Sequence, residues 1–375
     1  MAGNVYHIWM QLLFGIGSRR PHDVAEGCEC PQELFETGAS GGAALTAEEK
    51  ARSKAAMVKA RRIEEATLRK RVDIITPEHP DYPELLIGTY ARPMVLYVKG
   101  SLACLKTSLA IAMVGTRKYS EYGEACARDL AQGLSKAGCV IISGLAQGID
   151  SICHAAAIEK GGLTVGVMGC GLDVDYPPKS APLKTLMKRQ GAVISEYPLG
   201  YHADKFTFPV RNRVIAGMSR GTVVVEAPAR SGSLITARLA LDAGRDVFAV
   251  PGSIYSTGHG GGHKLLKEGG AKLVACAGDI LEEYPEYARM HKTPRTGIPK
   301  VKAVTAKPEA ALKPDLPNDV RELLRQVYGH IDENPKTSDV IAGRIPAEIG
   351  DVMGSLTELE IMGFVKSHPG GFFSI

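Results

Sequence analysis

One turn of this sequence carries cationic and hydroxyl side chains whose chemistry suits phosphate binding. It follows the apolar run Ser108–Val114 and precedes a helical pattern over Glu124–Lys136, and its candidate ligands are Gly115, Thr116, Arg117 and Ser120. Where a buried strand meets a helix, free backbone N–H groups and the positive end of the helix dipole face an anion, and an arginine fork pairs with phosphate. Such turns also occur in doubly wound domains that bind nothing. This stretch alone leaves a phosphate site and a purely structural turn equally open.

A second segment combines positive charge with aromatic rings. It has three cations, two rings and one amide within nine residues: Lys205, Phe206, Phe208, Arg211, Asn212 and Arg213. Pro209 suits the first turn of a helix, which leaves Lys205 and Phe208 on the preceding loop, where they offer a charge to a nucleic acid backbone and a ring to a base. Alternatively, the rings form a half-buried staple and one arginine forms a structural ion pair. Because Arg211 and Arg213 are two residues apart, we expect a helix to point one of them into a pocket.

Side chains that could support catalysis are not arranged for it. The sequence contains neither a GxxxxGK[ST] nor a GxGxxG motif. His154 stands beside alanines in a helical pattern, which predicts a core histidine rather than a base. Glu196 and Glu226 each end a strand, without a carboxylate or histidine at an offset that suits acid-base chemistry. We therefore predict no catalytic residue and no cofactor.

The cysteines and the N-terminus indicate a cytoplasmic protein. The sequence has eight cysteines and no CxxC pair; six lie in apolar or helical patterns and are predicted to be buried reduced thiols: Cys104, Cys126, Cys139, Cys153, Cys170 and Cys276. Cys28 and Cys30 stand in a loop, where a stray metal site is a minor alternative, and we predict no metal. We expect neither a signal peptide nor a membrane span, because no basic region precedes the first apolar run and no apolar run approaches about 18 residues.

Short apolar runs and helical patterns alternate regularly from residue 72. The runs predict strands at Val72–Thr76, Met94–Lys99, Ser108–Val114, Val140–Ser143, Leu163–Met168, Ala192–Ser195, Thr222–Glu226 and Asp246–Val250. This alternation predicts an α/β fold with a doubly wound, mostly parallel sheet, whose ligands bind beyond the carboxyl ends of the strands. Gly144 directly follows one of these ends and joins the candidate site.

The remaining segments predict three further regions. Residues 1–71 have a helical pattern and predict a small helical domain before the main domain, 72–288. Residues 289–316 hold four prolines and no apolar period, which predicts a disordered basic linker, and three helices and a hairpin over 317–375 predict a winged helix. Residues 72–288 contain 22 Lys and Arg against 21 Asp and Glu, whereas residues 289–316 contain 7 against 2, so the excess positive charge lies in the linker. A nucleic-acid site on the main domain therefore needs a local basic patch.

Two smaller features have open interpretations. The turn Gly15–Ser18 either joins two helices as in a helix-hairpin-helix module, with N–H groups for a DNA phosphate, or is only a connector. The third helix of the winged helix is acidic, with Glu348, Asp351, Glu358 and Glu360. Phosphates would be repelled by these carboxylates, so we favour protein contact or packing over DNA binding for this segment.

Eight motifs in order resemble the DNA-processing protein A family (DprA, also called Smf) of natural transformation. They lie between about Asp73 and Glu283: VGTRKYSEYG (114–123), SGLAQGID with His154 (143–154), GCGLDVDYP (169–177), ISEYPLG (194–200), FPVRNRVIAG (208–217), VVVEA (223–227), SGSLITARLAL (231–241) and VFAVPGSI (247–254). The resemblance implies an extended Rossmann fold, flanking helical and winged-helix domains, homodimers, binding of single-stranded DNA without sequence choice, and loading of the RecA recombinase. It implies DNA contacts by Arg117, Lys205 and Phe208. The sequence departs from the family at Gly260–His263, where an asparagine is usual.

Three functions remain to be weighed. We predict a non-catalytic protein that binds and protects single-stranded DNA, with phosphates at the Gly115–Gly123 turn. The alternative is an enzyme that cleaves nucleotide glycosidic bonds. Rossmann relatives of that kind carry a PGGxGTxxE turn, whereas Ala229–Thr236 of this sequence lacks the required glutamate. A pure scaffold or recombinase adaptor is the third possibility, and it would need no basic cleft.

Overall fold

The structure of the protein is a computed structural model that describes residues 4–25, 30–40, 43–178, 180–290, 320–332, 336–368 and 372–374. The chain divides into two compact units, Met1–Ile298 and Pro299–Ile375. Residues 291–316 of the predicted linker lie outside the described residues.

The chain forms four helices and a short hairpin before it enters the large sheet. They are α1 (Val5–Phe14), α2 (Arg20–Ala25), α3 (Pro31–Thr37), β1 (Ala39–Ser40), β2 (Ala43–Ala44) and α4 (Ala47–Arg69). Helix α4 begins at a capping box, in which the Thr46 hydroxyl accepts from the Glu49 N–H at 3.2 Å and the Glu49 carboxylate accepts from the Thr46 N–H at 2.7 Å. Trp9 of α1 shares one hydrophobic cluster with Tyr97 of the sheet. The core thus continues across the predicted boundary at residue 71, and a separate N-terminal domain stays a prediction.

Nine strands of the described chain form the large sheet. They are β3 (Asp73–Ile75), β4 (Leu96–Gly100), β5 (Ala110–Val114), β6 (Val140–Ser143), β7 (Thr164–Met168), β8 (Gly191–Ser195), β9 (Gly221–Val224), β10 (Asp246–Ala249) and β11 (Lys272–Leu273). Their order is β11-β10-β9-β5-β6-β7-β8-β4-β3, and all pairings from β11 to β8 are parallel, whereas β4 and β3 pair antiparallel. The predicted doubly wound, mostly parallel sheet is confirmed. The chain winds outward from β5 through β6 and then resumes on the other side at β9, so the topological switch point lies between β5 and β9.

Helices cover both faces of this sheet. They are α5 (Glu84–Ile87), α6 (Glu121–Lys136), α7 (Ile149–Glu159), α8 (Ala181–Met187), α9 (Thr207–Gly217), α10 (Gly232–Asp242), α11 (Gly260–Lys267), α12 (Ala277–Leu281) and α13 (Pro285–Met290). Successive residues of β5 point to opposite faces: Ala112 lies in one cluster with Ile215 of α9, and Ile111 lies in another with Leu130 of α6. Because both faces are buried, β5 has the continuous apolar sequence of a central parallel strand.

The second unit contains the winged helix. Its elements are α14 (Glu322–Gly329), β12 (Lys336–Thr337), α15 (Ser338–Ala342), α16 (Ile349–Ile361), β13 (Lys366–His368) and β14 (Phe372–Ser374), and its three strands are ordered β12-β14-β13. Leu324 of α14, Ile341 of α15 and Leu356 of α16 meet in one buried cluster. The three predicted helices and the terminal hairpin are thereby confirmed. Strand β12 is two residues long and has no periodic signal in the sequence.

Three of the six cysteines predicted to be buried are fully so. They are Cys139, Cys153 and Cys170, whereas Cys104, Cys126 and Cys276 are partly exposed. The partly exposed thiols correct the prediction, because the apolar or helical patterns around them did not show which side of the element faces the core. All seven cysteines in the described residues are free thiols; Cys28 lies outside those residues.

Candidate nucleic-acid interface

The turn after β5 is held from two sides. The Thr116 N–H donates to the Glu226 carbonyl at 2.8 Å, and the Thr116 carbonyl accepts from the Ile149 N–H at 3.2 Å. A Cβ on Gly115 would lie 2.6 Å from the Ile149 side chain, so the close approach of α7 requires glycine. Arg117 projects from this turn and is exposed. The turn is therefore a fixed support for the exposed Arg117 side chain.

Ser120 caps α6 and does not face the cleft described below. Its hydroxyl accepts from the Gly123 N–H at 3.0 Å and donates to the Glu226 carboxylate at 2.9 Å, to which the Ser120 N–H also donates at 3.0 Å. A Cβ on Gly123 would lie 1.8 Å from that carboxylate. Helix α6 consequently begins at Glu121, three residues before the predicted start at Glu124. Both hydrogen-bonding roles of the Ser120 hydroxyl are used within the protein. Thr116 and Arg117 line the cleft, and the Thr116 hydroxyl also donates to the Lys118 carbonyl and accepts from the Lys118 N–H, both at 3.1 Å.

Arg211 is buried beneath the strand ends. Its Nη1 donates to the Gly144 and Val167 carbonyls, and its Nε donates to the Asn212 side-chain oxygen at 3.2 Å. Gly144 has a steric role here, because a Cβ at that position would lie 2.6 Å from the Arg211 guanidinium. Burial lowers the pKa of Arg211, and the Asp150 carboxylate opposes this shift. Arg211 thus lies at the floor of the site, fixed by backbone carbonyls.

Asp150 is a buried carboxylate that sequence reasoning did not place in the site. It accepts from the Gly144 N–H at 3.1 Å and the Ala146 N–H at 3.4 Å. Burial raises the pKa of Asp150, and the Arg211 guanidinium opposes the shift. Its sequence signal was its place at the start of α7, directly after a glycine-rich loop. Asp150 stabilises that loop and supplies the negative charge beside Arg211.

The ring of Phe208 lies among two guanidinium groups and a second ring. Its centroid is 5.5 Å from the Arg117 guanidinium carbon, 5.9 Å from that of Arg211 and 5.3 Å from the Tyr176 ring centroid. Phe208 is half-buried and stands in the first turn of α9, not on the preceding loop as predicted, because α9 begins at Thr207 with Pro209 in its first turn. Cations at these distances contact the ring electrostatically.

Lys205 and Phe206 lie on the loop before α9, and both are exposed. The Lys205 ammonium is 4.9 Å from the Phe206 ring centroid, and Phe206 is 70% exposed. Phe206 is therefore not part of a buried staple. Neither side chain lines the cleft, so Lys205 belongs to its outer surroundings.

Arg213 points away from Arg211 and forms a structural ion pair. Its Nη2 donates to both carboxylate oxygens of Glu196, at 2.6 and 2.5 Å, and its Nη1 donates to the Ala91 carbonyl. The pair is nearly buried, and the Gly17 N–H also donates to the Glu196 carboxylate. The two-residue spacing thus separates the arginines as expected. The structure places Arg213 outside the cleft, and it gives Glu196 the cationic partner that no sequence offset revealed.

The turn Gly15–Ser18 packs against α9. Gly17 has a φ of +79°, and a Cβ there would lie 2.8 Å from a Val210 methyl group. Its N–H is used by Glu196. These contacts favour the connector interpretation over a DNA-binding hairpin, because the turn packs against α9, the helix that carries Phe208, and its Gly17 N–H is used within the protein.

A cleft of about 310 Å³ opens at the switch point, beyond the carboxyl ends of β5 and β9. One wall is the first turn with Arg117, the floor includes Asp150 and Arg211, and the other wall is a turn that leads into α10. The residues of these three parts are Gly115, Thr116, Arg117, Ala146, Asp150, Phe208, Arg211, Asn212, Pro228, Arg230, Ser231, Gly232 and Ser233. Arg117, Arg211 and Arg230 line the cleft together with one carboxylate, Asp150. They form the local basic patch that a nucleic-acid site needs on a domain that is nearly neutral overall. Arg230 was not predicted to belong to the site.

The glycine-rich stretch Gly260–His263 supports the second wall from behind. The Gly261 N–H donates to the Ala227 carbonyl at 2.8 Å, and a Cβ on Gly261 would lie 2.7 Å from the Pro228 carbonyl oxygen. His263 is turned toward the Gly252 carbonyl, with its Nε2 at 3.0 Å. These residues do not line the cleft. The departure from the family pattern at Gly260–His263 therefore affects how the second wall is packed from behind, and it changes no residue that lines the cleft.

His154 is a core histidine, as predicted. It is fully buried, and its Nδ1 lies 2.6 Å from the Thr164 hydroxyl, which in turn donates to the Ile141 carbonyl at 2.8 Å. Burial lowers the pKa of His154 to about 3, so the ring is neutral and inaccessible.

Asp150 is the one carboxylate among the described residues that line the cleft. It accepts two backbone N–H groups and stands beside the Arg211 guanidinium. In the part of the chain that the structure describes, no three His, Cys, Asp or Glu side chains lie close enough to bind a metal ion. Among the same residues, no helix has the length and apolar character needed to cross a membrane.

Comparison with known proteins identifies the family. The sequence profile of DNA recombination-mediator protein A matches residues 73–285, more than half of the chain. The chain belongs to this family. A second profile, the DprA winged helix domain, matches residues 308–371 and confirms the predicted winged helix.

Relatives in this family extend the likeness over most of the chain. Protein Smf of Synechocystis sp. is 34% identical over 320 residues, which cover 80% of this chain and 79% of that protein. The X-ray structure of DNA processing protein A from Streptococcus pneumoniae is similar with a TM-score of 0.64 and 36% identity, and covers 75% of this chain and 98% of that chain. A Helicobacter pylori structure, described as showing the single-stranded DNA binding mode of DNA processing protein A, has a TM-score of 0.52 and 28% identity, and covers 57% and 96%.

Proposed function

We propose that this protein binds and protects single-stranded DNA without sequence preference, in the cleft at the ends of β5 and β9. The observation that carries the proposal is the position of Phe208, whose half-buried ring has the guanidinium groups of Arg117 and Arg211 within 6 Å of its centroid, at 5.5 and 5.9 Å. A ring face that stacks a base, beside a cation for the backbone, is the combination found in single-strand binding sites. The Helicobacter pylori relative described above supports this assignment.

The polar groups of the cleft support the proposed lack of sequence preference. Asn212 is the amide best placed to read a base edge, but its oxygen accepts from Arg211 at 3.2 Å and its nitrogen donates to the Gly232 carbonyl at 3.4 Å. Asp150 is used by backbone N–H groups. Stacking on Phe208 tolerates every base, because each base has a π face.

A titration of labelled oligothymidine tests the proposal. Arg117→Glu places a carboxylate where a phosphate would bind, and we expect it to abolish most of the affinity. Phe208→Ala removes the stacking face and should cost about 1–3 kcal/mol of binding free energy. Contact with about three phosphates would give a logarithmic salt slope near −2 for the unsubstituted protein.

Lys160→Glu is the matched control for Arg117→Glu. Lys160 is an exposed cation at the end of α7, away from the carboxyl ends of the strands, so reversal of its charge should leave binding nearly unchanged. If both Arg117→Glu and Phe208→Ala bind like Lys160→Glu, the assignment of the cleft is wrong.

We also propose that the protein is a cytoplasmic homodimer that loads RecA recombinase onto the bound strand. Membership of the recombination-mediator family supports this finer role. Light scattering on the full chain tests the dimer. RecA ATPase activity on single strands precoated with a single-strand binding protein tests the loading, and no stimulation by the full chain would contradict it.

We propose further that the protein has no catalytic activity of its own. The absence of a free carboxylate facing the cleft among the described residues supports this, since glycosidic-bond cleavage needs an acid or base at the reacting atoms. A screen for base release from nucleoside monophosphates tests it. Turnover that disappears in Arg117→Glu would revive the enzyme alternative.

A further inference from the structure

The second wall of the cleft carries an arginine that the proposed function does not use. Arg230 is exposed, lines the cleft and belongs to the turn between Glu226 and α10. Arg117 lines the opposite wall. The two exposed arginines therefore face one cavity from two different segments, which are brought together by the parallel pairing of β5 with β9.

Arg230 has no assigned task within the protein. Among the described residues it makes no hydrogen bond or ion pair, whereas Arg211 donates to two backbone carbonyls and Arg213 is paired with Glu196. An unpaired guanidinium at the edge of a cavity is available to an anion. Arg117 likewise makes no hydrogen bond or ion pair among the described residues, and its guanidinium contacts the Phe208 ring. The free positive charge of the cleft thus lies on both walls.

The turn that carries Arg230 is anchored at several points. The Gly232 carbonyl accepts from the Asn212 side chain at 3.4 Å, which ties the second wall to α9. The Ser231 and Ser233 hydroxyl oxygens lie 2.6 Å apart, and the Ser231 oxygen also accepts from the Ser233 N–H at 3.3 Å. Behind the wall, Gly261 packs against the Pro228 carbonyl. A supported turn loses little conformational freedom when it binds a ligand.

We propose that Arg230 binds a second backbone phosphate, so that the single strand crosses the cleft from the Phe208 and Arg117 side to the α10 side. This inference rests on the proposed function and deepens it. Single-stranded DNA bound only at the Arg117 wall would leave Arg230 without an anionic partner and part of the cavity unfilled. Two cationic contacts on opposite walls fix the path of the backbone while the bases remain free to differ.

The test is the salt dependence of oligothymidine binding by Arg230→Ala in the full-length protein. Loss of one phosphate contact should weaken binding about tenfold and make the logarithmic salt slope shallower by about 0.7. Arg230→Lys keeps the charge and should keep the slope. Arg238→Ala is the matched control, because Arg238 is exposed on α10, the helix that follows the Arg230 turn, but does not line the cleft; its slope should equal that of the unsubstituted protein.

The outcome separates this inference from the proposed function. If Arg117→Glu and Phe208→Ala lose affinity while Arg230→Ala has the affinity and slope of Arg238→Ala, the second phosphate contact is wrong and the first remains. If Arg117→Glu and Phe208→Ala bind normally, the proposed function fails, whatever Arg230→Ala does. A slope that becomes shallower in Arg230→Ala but not in Arg238→Ala supports the crossing path.

Discussion

The cleft of the first unit and helix α16 of the second use charged side chains in opposite ways. In the cleft, Arg117 and Arg230 make no hydrogen bond or ion pair with the described residues and face a cavity. On α16 the charges are acidic, and Glu358 is paired with Arg321. A net charge of +4 for the whole chain conceals this difference. The comparison teaches that the position and the partners of charges, more than their sum, indicate where a polyanion would bind.

The cleft also separates two kinds of cation. The exposed arginines on its walls make no hydrogen bond or ion pair within the described part of the chain, whereas Arg211 beneath them is held by backbone carbonyls beside Asp150. Because Arg211 is buried, its substitution should lower the free energy of unfolding strongly. Because Arg230 is exposed, its substitution should change that free energy little. Stability and binding should therefore respond to different arginines of one cavity.

The largest effect is expected for Arg211→Met. The substitution removes the donor to the Gly144 carbonyl and leaves the Asp150 carboxylate buried without its neighbouring cation. We expect the free energy of unfolding to fall by about 3–5 kcal/mol. Urea unfolding followed by the fluorescence of Trp9 measures this, because Trp9 is the single tryptophan of the chain and is buried in the same unit.

Two further variants sharpen that result. Arg230→Met alters an exposed arginine of the same cleft and should change stability by less than about 0.5 kcal/mol. Asp150→Asn combined with Arg211→Met removes the orphaned charge and should recover part of the loss, as expected for coupled neighbours. Equal stability of Arg211→Met and Arg230→Met would contradict the distinction between floor and wall.

An intermediate effect is expected from the buried histidine of the first unit. The pKa of His154 is about 3 in the folded protein and 6.5 for an ordinary histidine, so between these values the unfolded chain binds one more proton. The contribution of His154 to stability is therefore complete above about pH 6.5 and is lost as the pH falls toward 3. The loss is about 1.4 kcal/mol per pH unit, or about 2 kcal/mol at pH 5.

His154→Gln should flatten this dependence. The glutamine does not titrate, so the unfolding free energy of the variant should fall less steeply between about pH 6.5 and pH 4, by the equivalent of one proton. Urea unfolding monitored by Trp9 at several pH values provides the measurement. Parallel curves for the variant and the unsubstituted protein would show that His154 is not the titrating group.

Most of the sheet could be predicted from the sequence because its central strands are buried on both faces. Ala110–Val114 is continuously apolar for that reason, and the predicted strand, Ser108–Val114, only began two residues too early. Strand β11 was missed because it is two residues long and exposed. The start of α6 was placed three residues late, since its first turn, Glu121 to Gly123, has no apolar period and is fixed by a cap that involves Glu226.

The site was predictable where its residues are contiguous and hidden where they meet through the fold. Arg117 and Phe208 stand in recognisable segments, and the structure brings their side chains together. Three other features of the site depend on how strands and helices pack. They are the hydrogen bond from the Gly144 N–H to Asp150, the ion pair of Arg213 with Glu196, and the position of Arg230 on the cleft wall. Such contacts leave no periodic signal in the sequence, because each partner is chosen by tertiary structure.

The smallest effect is expected on α16, and it tests the comparison from its acidic side. Glu348 stands at the start of α16 and Asp351 lies in its first turn. If the cleft binds the strand and the acidic helix does not, Glu348→Gln combined with Asp351→Asn should change oligothymidine affinity by less than about twofold, since a surface charge that does not contact the strand is screened by salt. The same titration with Arg117→Glu gives the scale of a direct contact. A larger gain or loss in the α16 variant would mean that this helix takes part in DNA binding, and the two regions would then act on the same strand.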